Sequence, residues 1–281
     1  GLLGNMVVPG LAVSDTNLFA GTWGGVFLST NNGTSWVASG LTHTDVYAFA
    51  VSDTNLFAGT NGAGVFLSTD KGTRWTAVDS GLTQAYFRSL ALSATTLFAG
   101  TYFGGGVFRS TNNGTSWTPV NAGLTDPHIW SLAISGTNVF AGTSGGVFRS
   151  TNHGTSWIAV NSGLTNMYVL SLAVSGTNLF AGTDGGGVFL STDNGTSWTA
   201  VNSGLANLSI DAFAISGATL FAGTWGSGVW RRSLSEMITS VRLSPMELPT
   251  KFDLAQNYPN PFNPISTVQY QLPGNSKISL V

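Results

Sequence analysis

Four residues, Phe-Ala-Gly-Thr, recur six times along this 281-residue chain, beginning at Phe19, Phe57, Phe98, Phe140, Phe180 and Phe221. The steps between copies are 38, 41, 42, 40 and 41 residues. A second block, Ser-Thr-Asn-Asn-Gly-Thr-Ser-Trp at Ser29–Trp36, follows the first copy and returns with variations ending at Trp75, Trp117, Trp157 and Trp198. A period near forty residues means one supersecondary unit repeated, each copy burying its apolar surface against its neighbours.

The unit from Tyr168 to Asn202 shows its parts most clearly. Val169–Val174 is a short apolar run, and Ser175-Gly176-Thr177-Asn178 is turn chemistry. Leu179–Thr183, Val188–Ser191 and Ser197–Val201 read as three further strands, so each unit is an antiparallel sheet of strands A to D. Strand A is apolar or small throughout and does not alternate with polar residues, which requires cover on both faces of its sheet. Sheets stacked around an axis meet that requirement. The expected fold is therefore all-β: a β-propeller of about six four-stranded antiparallel blades over residues 1–232, with a β-solenoid as the alternative. The small residues Ala12, Ala50, Ala91, Ala133, Ala173 and Ala214 suit the crowded axis. Strand D, which carries the Trp, appears five times against six for the others. The expectation is that the missing strand belongs to sequence preceding Gly1; a whole further unit there would make seven blades or more.

Composition closes several functional classes. Charged residues make up 8% of the chain, against about 25% in an average soluble protein. A net charge of −2 supplies no basic field for nucleic acid. The chain has no cysteine, which removes disulfides and thiolate metal sites, and no apolar run long enough for a membrane-spanning helix. Gly182–Gly187 lacks the Gly-Lys-Ser/Thr of a phosphate loop, and Asn32-Gly33-Thr34 is a turn that happens to match a glycosylation sequon. No cofactor and no metal is expected.

The second block, Ser-x-Asn/Asp-x-Gly-x-Ser/Thr-Trp, resembles the Asp-box, or bacterial neuraminidase repeat. Its acidic position holds Asn31, Asp70, Asn112, Asn152 and Asp193, and Arg74 replaces the usual hydroxyl residue in the second copy. The turn needs an Asx acceptor for its own amides, a Gly at positive φ, and a Trp to pack between sheets. The resemblance implies a structural turn between strands C and D, away from any ligand face.

Positions where the six copies differ are those the fold leaves free. Aligned on the Ser that ends strand A, the residues five earlier are Pro9, Tyr47, Arg88, Trp130, Leu170 and Asp211. Those seven earlier are Val7, Asp45, Tyr86, His128, Tyr168 and Ser209. Strand alternation puts both columns on one side. The B–C loop varies likewise, with Trp23, Asn61, Tyr102-Phe103, Ser144, Asp184 and Trp225. Chain reversal at each hairpin brings loop and strand entrance to the same end of the axis, opposite the box turns. The expected ligand-binding set is Trp23, Tyr47, Tyr86, Arg88, Tyr102, His128, Trp130, Tyr168, Asp184, Asp211 and Trp225. An aromatic depression with few polar groups suits a glycan or a protein ligand.

Catalysis is not expected. Sialidase chemistry would need an arginine cluster and a Tyr–Glu pair, and residues 1–232 hold no Glu and one Arg, Arg88, in the variable columns. Asp184 and Asp211, with Asp45 as a third, are the best carboxylates for a polysaccharide-cleaving glycoside hydrolase, the enzymatic alternative. A protein assembly or adhesion scaffold is the third reading.

Residues 233–250 lack Gly and read as a linker. Beyond them, Leu248–Pro264 contains Asn-Tyr-Pro-Asn-Pro-Phe-Asn-Pro. That segment resembles the opening of the C-terminal sorting domain of type IX secretion cargo, a small β-sandwich. Residues 251–281 would be the beginning of such a domain, with first strands over Val268–Leu272 and Ile278–Val281. The resemblance implies engagement of the type IX secretion machinery and a secreted or outer-membrane-surface location on a bacterium.

Overall fold

The computed structural model describes residues 6–52 and 55–242 together with two short strands further on. The first sheet comprises β1 (Gly10–Ser14), β2 (Asn17–Thr22), β3 (Gly25–Ser29) and β4 (Val37–Thr42). The second comprises β5 (Val46–Ser52), β6 (Asn55–Thr60), β7 (Val65–Ser68) and β8 (Thr76–Ala77). The third holds β9 (Phe87–Ser93), β10 (Thr96–Thr101), β11 (Val107–Ser110) and β12 (Thr118–Pro119). The fourth holds β13 (Ile129–Ser135), β14 (Asn138–Thr143), β15 (Gly146–Ser150) and β16 (Ile158–Ala159). The fifth holds β17 (Val169–Ser175), β18 (Asn178–Thr183), β19 (Gly187–Ser191) and β20 (Thr199–Ala200). The sixth has three strands, β21 (Ile210–Ser216), β22 (Thr219–Thr224) and β23 (Gly228–Ser233). Every sheet is an antiparallel meander in chain order. The fold is a six-bladed β-propeller.

Strand A of each sheet packs on strand A of the next, β1 on β5, β5 on β9, β9 on β13, β13 on β17 and β17 on β21. The core lies between sheets, in slabs shared by neighbours. Phe57 of the second sheet packs with Phe87, Phe108 and Trp117 of the third, and Phe140 of the fourth with Phe189 and Trp198 of the fifth. The leading face of the first sheet and the trailing face of the sixth remain exposed, with Leu11 71% and Val229 71% accessible.

Each letter of Phe-Ala-Gly-Thr has a physical reason. The Phe is fully buried in the first five copies, and the Ala sits beside it in the same strand. The Gly admits the next sheet: a Cβ on Gly100 would lie 2.4 Å from Ile129 Cγ2, and one on Gly59 3.2 Å from Phe87 and 3.3 Å from Leu90. The buried Thr ties off the B–C hairpin, with Thr22 Oγ1 donating to Gly25 O (2.9 Å) and Thr60 Oγ1 to Gly64 O (2.7 Å).

Strand A departs from plain alternation. In the second to sixth sheets its pairing with strand B skips one residue, so that Tyr47, Arg88, Trp130, Leu170 and Asp211 each stand as the extra residue of a β-bulge. A bulge breaks the two-residue period and re-aims the inserted side chain. Phe87 and Leu90, three apart, can therefore both face Gly59. These five residues share a column through the bulge and not through strand alternation alone.

The box turns close on themselves. In the first, Ser29 Oγ donates to Asn31 Oδ1 (3.0 Å), which also accepts Ser35 N (2.9 Å), while Gly33 N donates to Ser29 Oγ (2.9 Å). Asn and Asp serve equally. Asn31 Nδ2 donates to Ser35 Oγ at 2.8 Å, whereas Ser197 Oγ donates to Asp193 Oδ2 at 2.6 Å. The residue before the Gly also takes positive φ, from 54° at Asn32 to 58° at Asn194.

The expected linker begins as a helix, α1 (Leu234–Arg242). Ser233-Leu234-Ser235-Glu236 has the spacing of a capping box, and Leu234 and Met237 are buried. A second unit, Thr239–Val281, contains β24 (Asp253–Leu254) paired with β25 (Tyr270–Gln271). β25 falls within the expected strand Val268–Leu272. The expected strand Ile278–Val281 and residues 243–250 lie outside the described residues.

Candidate functional site

Backbone hydrogen bonds join the two variable regions within the second, third, fifth and sixth sheets. Asn61 N donates to Asp45 O (2.9 Å), Tyr102 N to Tyr86 O (3.1 Å), Asp184 N to Tyr168 O (2.9 Å) and Trp225 N to Ser209 O (3.1 Å). In these four sheets the B–C loop sits on the entrance of its own strand A, and both present their side chains at one end of the axis.

The bulged residues meet there. The Arg88 guanidinium carbon lies 4.8 Å from the ring centre of Trp130, 5.4 Å from Tyr47 and 5.7 Å from Tyr102. Trp130 stacks edge-on with Tyr102 (4.7 Å) and tilts against Tyr168 (5.2 Å). Phe103 continues the row, 4.6 Å from Tyr102 and 4.8 Å from Tyr86. The indole Nε1 of Trp130 donates to Ser144 Oγ (3.0 Å), which fixes the ring's orientation.

Two clefts flank the Tyr102–Phe103 wall. One, of about 170 Å³, is bounded by Tyr47, Asn61, Tyr86, Arg88 and the wall. The other, of about 350 Å³, is bounded by the wall, His128, Trp130, Ser144 and Tyr168. The larger reaches the lower end of the range for whole small-molecule sites, roughly 300–1,000 Å³, and the smaller suits one group of a longer ligand. Polar groups at the rim are held in place. His128 Nδ1 is 2.9 Å from Asp126 Oδ1, and burial, which pushes the Asp126 carboxyl up, is outweighed by hydrogen bonds from His128, leaving it below its ordinary value.

Asp184 follows β18 of the fifth sheet and Asp211 lies in β21 of the sixth. Ser209 Oγ donates to Asp184 Oδ1. The Asp211 carboxyl is pushed above its ordinary value, first by burial and then by the negative charge of Asp184, with Arg88 opposing. Asp211 of the sixth sheet therefore feels Arg88 of the third, as gathering at one mouth requires.

The structure brings Tyr47, Tyr86, Arg88, Tyr102, His128, Trp130 and Tyr168 into one contiguous cluster and puts Asp184 and Asp211 in electrostatic reach of it. Trp23 and Trp225 stand apart: they are 56% and 73% exposed on the first and sixth sheets, and the ring contacts do not extend to them. Phe103, Ser144 and Asn61 line the clefts although they are not in the expected set. Their signal was present, since all three occupy the variable B–C loop. Asp126, outside every aligned column, carried none.

Residues 104–216 match the DUF6242 beta propeller domain. That is less than half of the chain. No curated protein matches. Among solved structures, YCF48 bound to D1 peptide is similar with a TM-score of 0.66 at 16% identity, over 83% of this chain and 81% of that one. An ancestral GH74 enzyme gives a TM-score of 0.66 at 23% identity, over 80% of this chain but 36% of that one. The computationally designed Ika8 protein gives 0.62 at 15% identity, over 81% and 71%. A binder, an enzyme and a designed protein share this fold, so the architecture alone does not select a function.

Proposed function

We propose that the chain is a non-catalytic binding propeller, secreted or displayed at a bacterial surface, that holds a glycan across its aromatic mouth. The observation that carries this reading is the row Tyr47–Arg88–Trp130–Tyr168, with Tyr102 and Phe103 between two clefts. Sugar rings present C–H faces that lie flat on aromatic rings, and their hydroxyls bond to edge groups such as Ser144, Asn61, His128 and the rim carboxylates. A wall between two subsites suits a polymer of linked rings. Residues 251–281, through their resemblance to a sorting domain, would engage the type IX secretion machinery.

The test is a glycan array with a peptide panel beside it, repeated with Trp130→Ala and Tyr168→Ala. Saturable glycan binding lost in both variants supports the reading; binding that survives both rejects the mouth as the site. Peptide binding alone, of the kind seen with YCF48, would favour an assembly or adhesion scaffold. Deleting residues 251–281 is expected to abolish export.

A second reading rests on the Asp211 carboxyl, raised first by burial and then by the charge of Asp184, an asymmetry expected of an acid and base pair, and on a fold shared with GH74 enzymes. Release of reducing ends from a β-glucan panel, lost in Asp211→Asn, would establish it; an inactive parent protein ends it.

A further inference from the structure

We propose that the open edge of the sixth sheet is a docking groove for a partner strand of the chain's own turn chemistry, Ser-x-Asx-x-Gly-x-Ser/Thr-Trp-x-x-Val-Asn. The proposal is independent of the ligand at the mouth, which lies at the opposite end of the sheets from the box turns.

Four successive interfaces show what such a strand does. The indole Nε1 of each Trp donates to a carbonyl of the preceding sheet: Trp75 to Ser39 (2.9 Å), Trp117 to Val78 (2.7 Å), Trp157 to Val120 (2.7 Å) and Trp198 to Val160 (2.7 Å). The backbone follows, with Trp117 N donating to Ser80 O, Trp157 N to Ala122 O and Trp198 N to Ser162 O, at 2.8–2.9 Å. The strand so held presses its Trp carbonyl onto a glycine. A Cβ there would come within 2.4 Å of Trp117 O at Gly81, 2.3 Å of Trp157 O at Gly123 and 2.2 Å of Trp198 O at Gly163. Three residues past that Trp, its Val N donates to strand C, as Val201 N does to Val188 O (2.8 Å). The Asn after the Val accepts from strand C, as Asn202 Oδ1 does from Val188 N (2.7 Å), crowding Gly187 to 2.3 Å.

The next members of these series are Val201 O, Ser203 O, Gly204, Gly228 and Val229. The sixth sheet ends at β23, whose outer edge no described strand pairs. Gly228 has open space where Gly187 meets Asn202, and Gly204 meets no neighbouring backbone. Its nearest neighbour is Trp230 Nε1 at 3.7 Å. Trp230 stands where the other sheets have Phe108, Phe148 and Phe189, so a wider ring leans toward the Trp slot. A strand edge with unpaired amides and carbonyls accepts an extended segment by adding it to the sheet, with side-chain slots setting specificity. Here the slots are specific: an indole donor over Val201 O, a glycine-sized gap beneath the Trp carbonyl, and an Asn acceptor beside Gly228.

The test uses the whole chain and a labelled peptide with the sequence of residues 191–203, titrated by fluorescence anisotropy and mapped by hydrogen–deuterium exchange. Saturable binding is expected, at least tenfold weaker when the peptide's Trp or its Asn next to Val is replaced by Ala, with new amide protection at Gly228–Arg231. Binding no stronger than a scrambled peptide overturns the proposal, as does protection confined to other sheets. Concentration-dependent self-association that the peptide fails to compete away would instead assign this edge to a second copy, and overturns it too.

Discussion

The Arg88 guanidinium stands 4.8 Å over the Trp130 ring although the two residues belong to different sheets and each is the extra residue of a bulge. Neither side chain could face the axis in a regular strand without exchanging places with its apolar neighbours. The bulge frees one position in each of the second to sixth sheets from the packing requirement, and that freedom is why the column holds Tyr, Arg, Trp, Leu and Asp.

A cation over an indole at a partly solvated site contributes about 0.5–1 kcal/mol. A double-mutant cycle of Arg88→Ala and Trp130→Ala, read by chemical denaturation, is expected to give coupling of that size. Coupling near zero would mean that the stack is geometry without energy.

Gly100→Ala forces a Cβ to within 2.4 Å of Ile129 Cγ2, an overpacking expected to cost about 1–3 kcal/mol. Gly223 holds the same motif position in the sixth sheet, yet its nearest neighbour is Ala212 at 3.8 Å. Gly223→Ala should therefore leave the unfolding midpoint nearly unchanged. Equal losses at both would show that strand conformation, and not the approach of the next sheet, demands glycine.

Trp157→Ala is expected to destabilise by about 3–5 kcal/mol, the range for truncating a buried aromatic. Trp157→Phe keeps most of the ring but leaves the buried Val120 carbonyl without its donor, costing about 1–3 kcal/mol. If Phe restores full stability in urea titrations, the indole hydrogen bond is dispensable.

Asp211 has a raised carboxyl in the folded protein, so its ionisation opposes folding. The protonated form's contribution is present below the ordinary value of 3.8 and is lost as pH rises through the higher folded value. Asp211→Asn should therefore raise the melting temperature at pH 7, with the gain shrinking toward pH 3. The opposite trend would indicate that Arg88 outweighs Asp184.

Asp193 runs the other way. Burial pushes its carboxyl up, but hydrogen bonds from the Ser197 hydroxyl and amide and from Ser191 outweigh burial and hold it below 3.8. Its contribution is present above that value and disappears as pH falls through the lower folded one. Asp193→Asn, which three of the five turns already carry, should match the parent at pH 7 and flatten the acid limb of the stability curve.

The repeat and the turn residues made four-stranded units legible, because local patterns of apolar, turn and β-forming residues act within a few residues of one another. The variable columns pointed to the mouth for the same reason: a position the fold does not constrain is free to differ between copies. Asp126 stayed hidden because its pairing with His128 depends on a loop conformation no pattern encodes. Absence of glycine over residues 233–250 does not distinguish a linker from a helix, whereas Ser233 and Glu236 mark a capped helix start at Leu234.

By itself, then, the amino-acid order determined the unit, its four strands and the end of each unit that is free to vary. Tertiary structure alone decided which free side chains touch. It brought Arg88 between rings from three sheets and left Trp23 and Trp225 outside. The physical reason is that strand pairing and turns are settled by neighbours in the chain. Contact across an axis depends on where the bulges aim side chains from units forty residues apart.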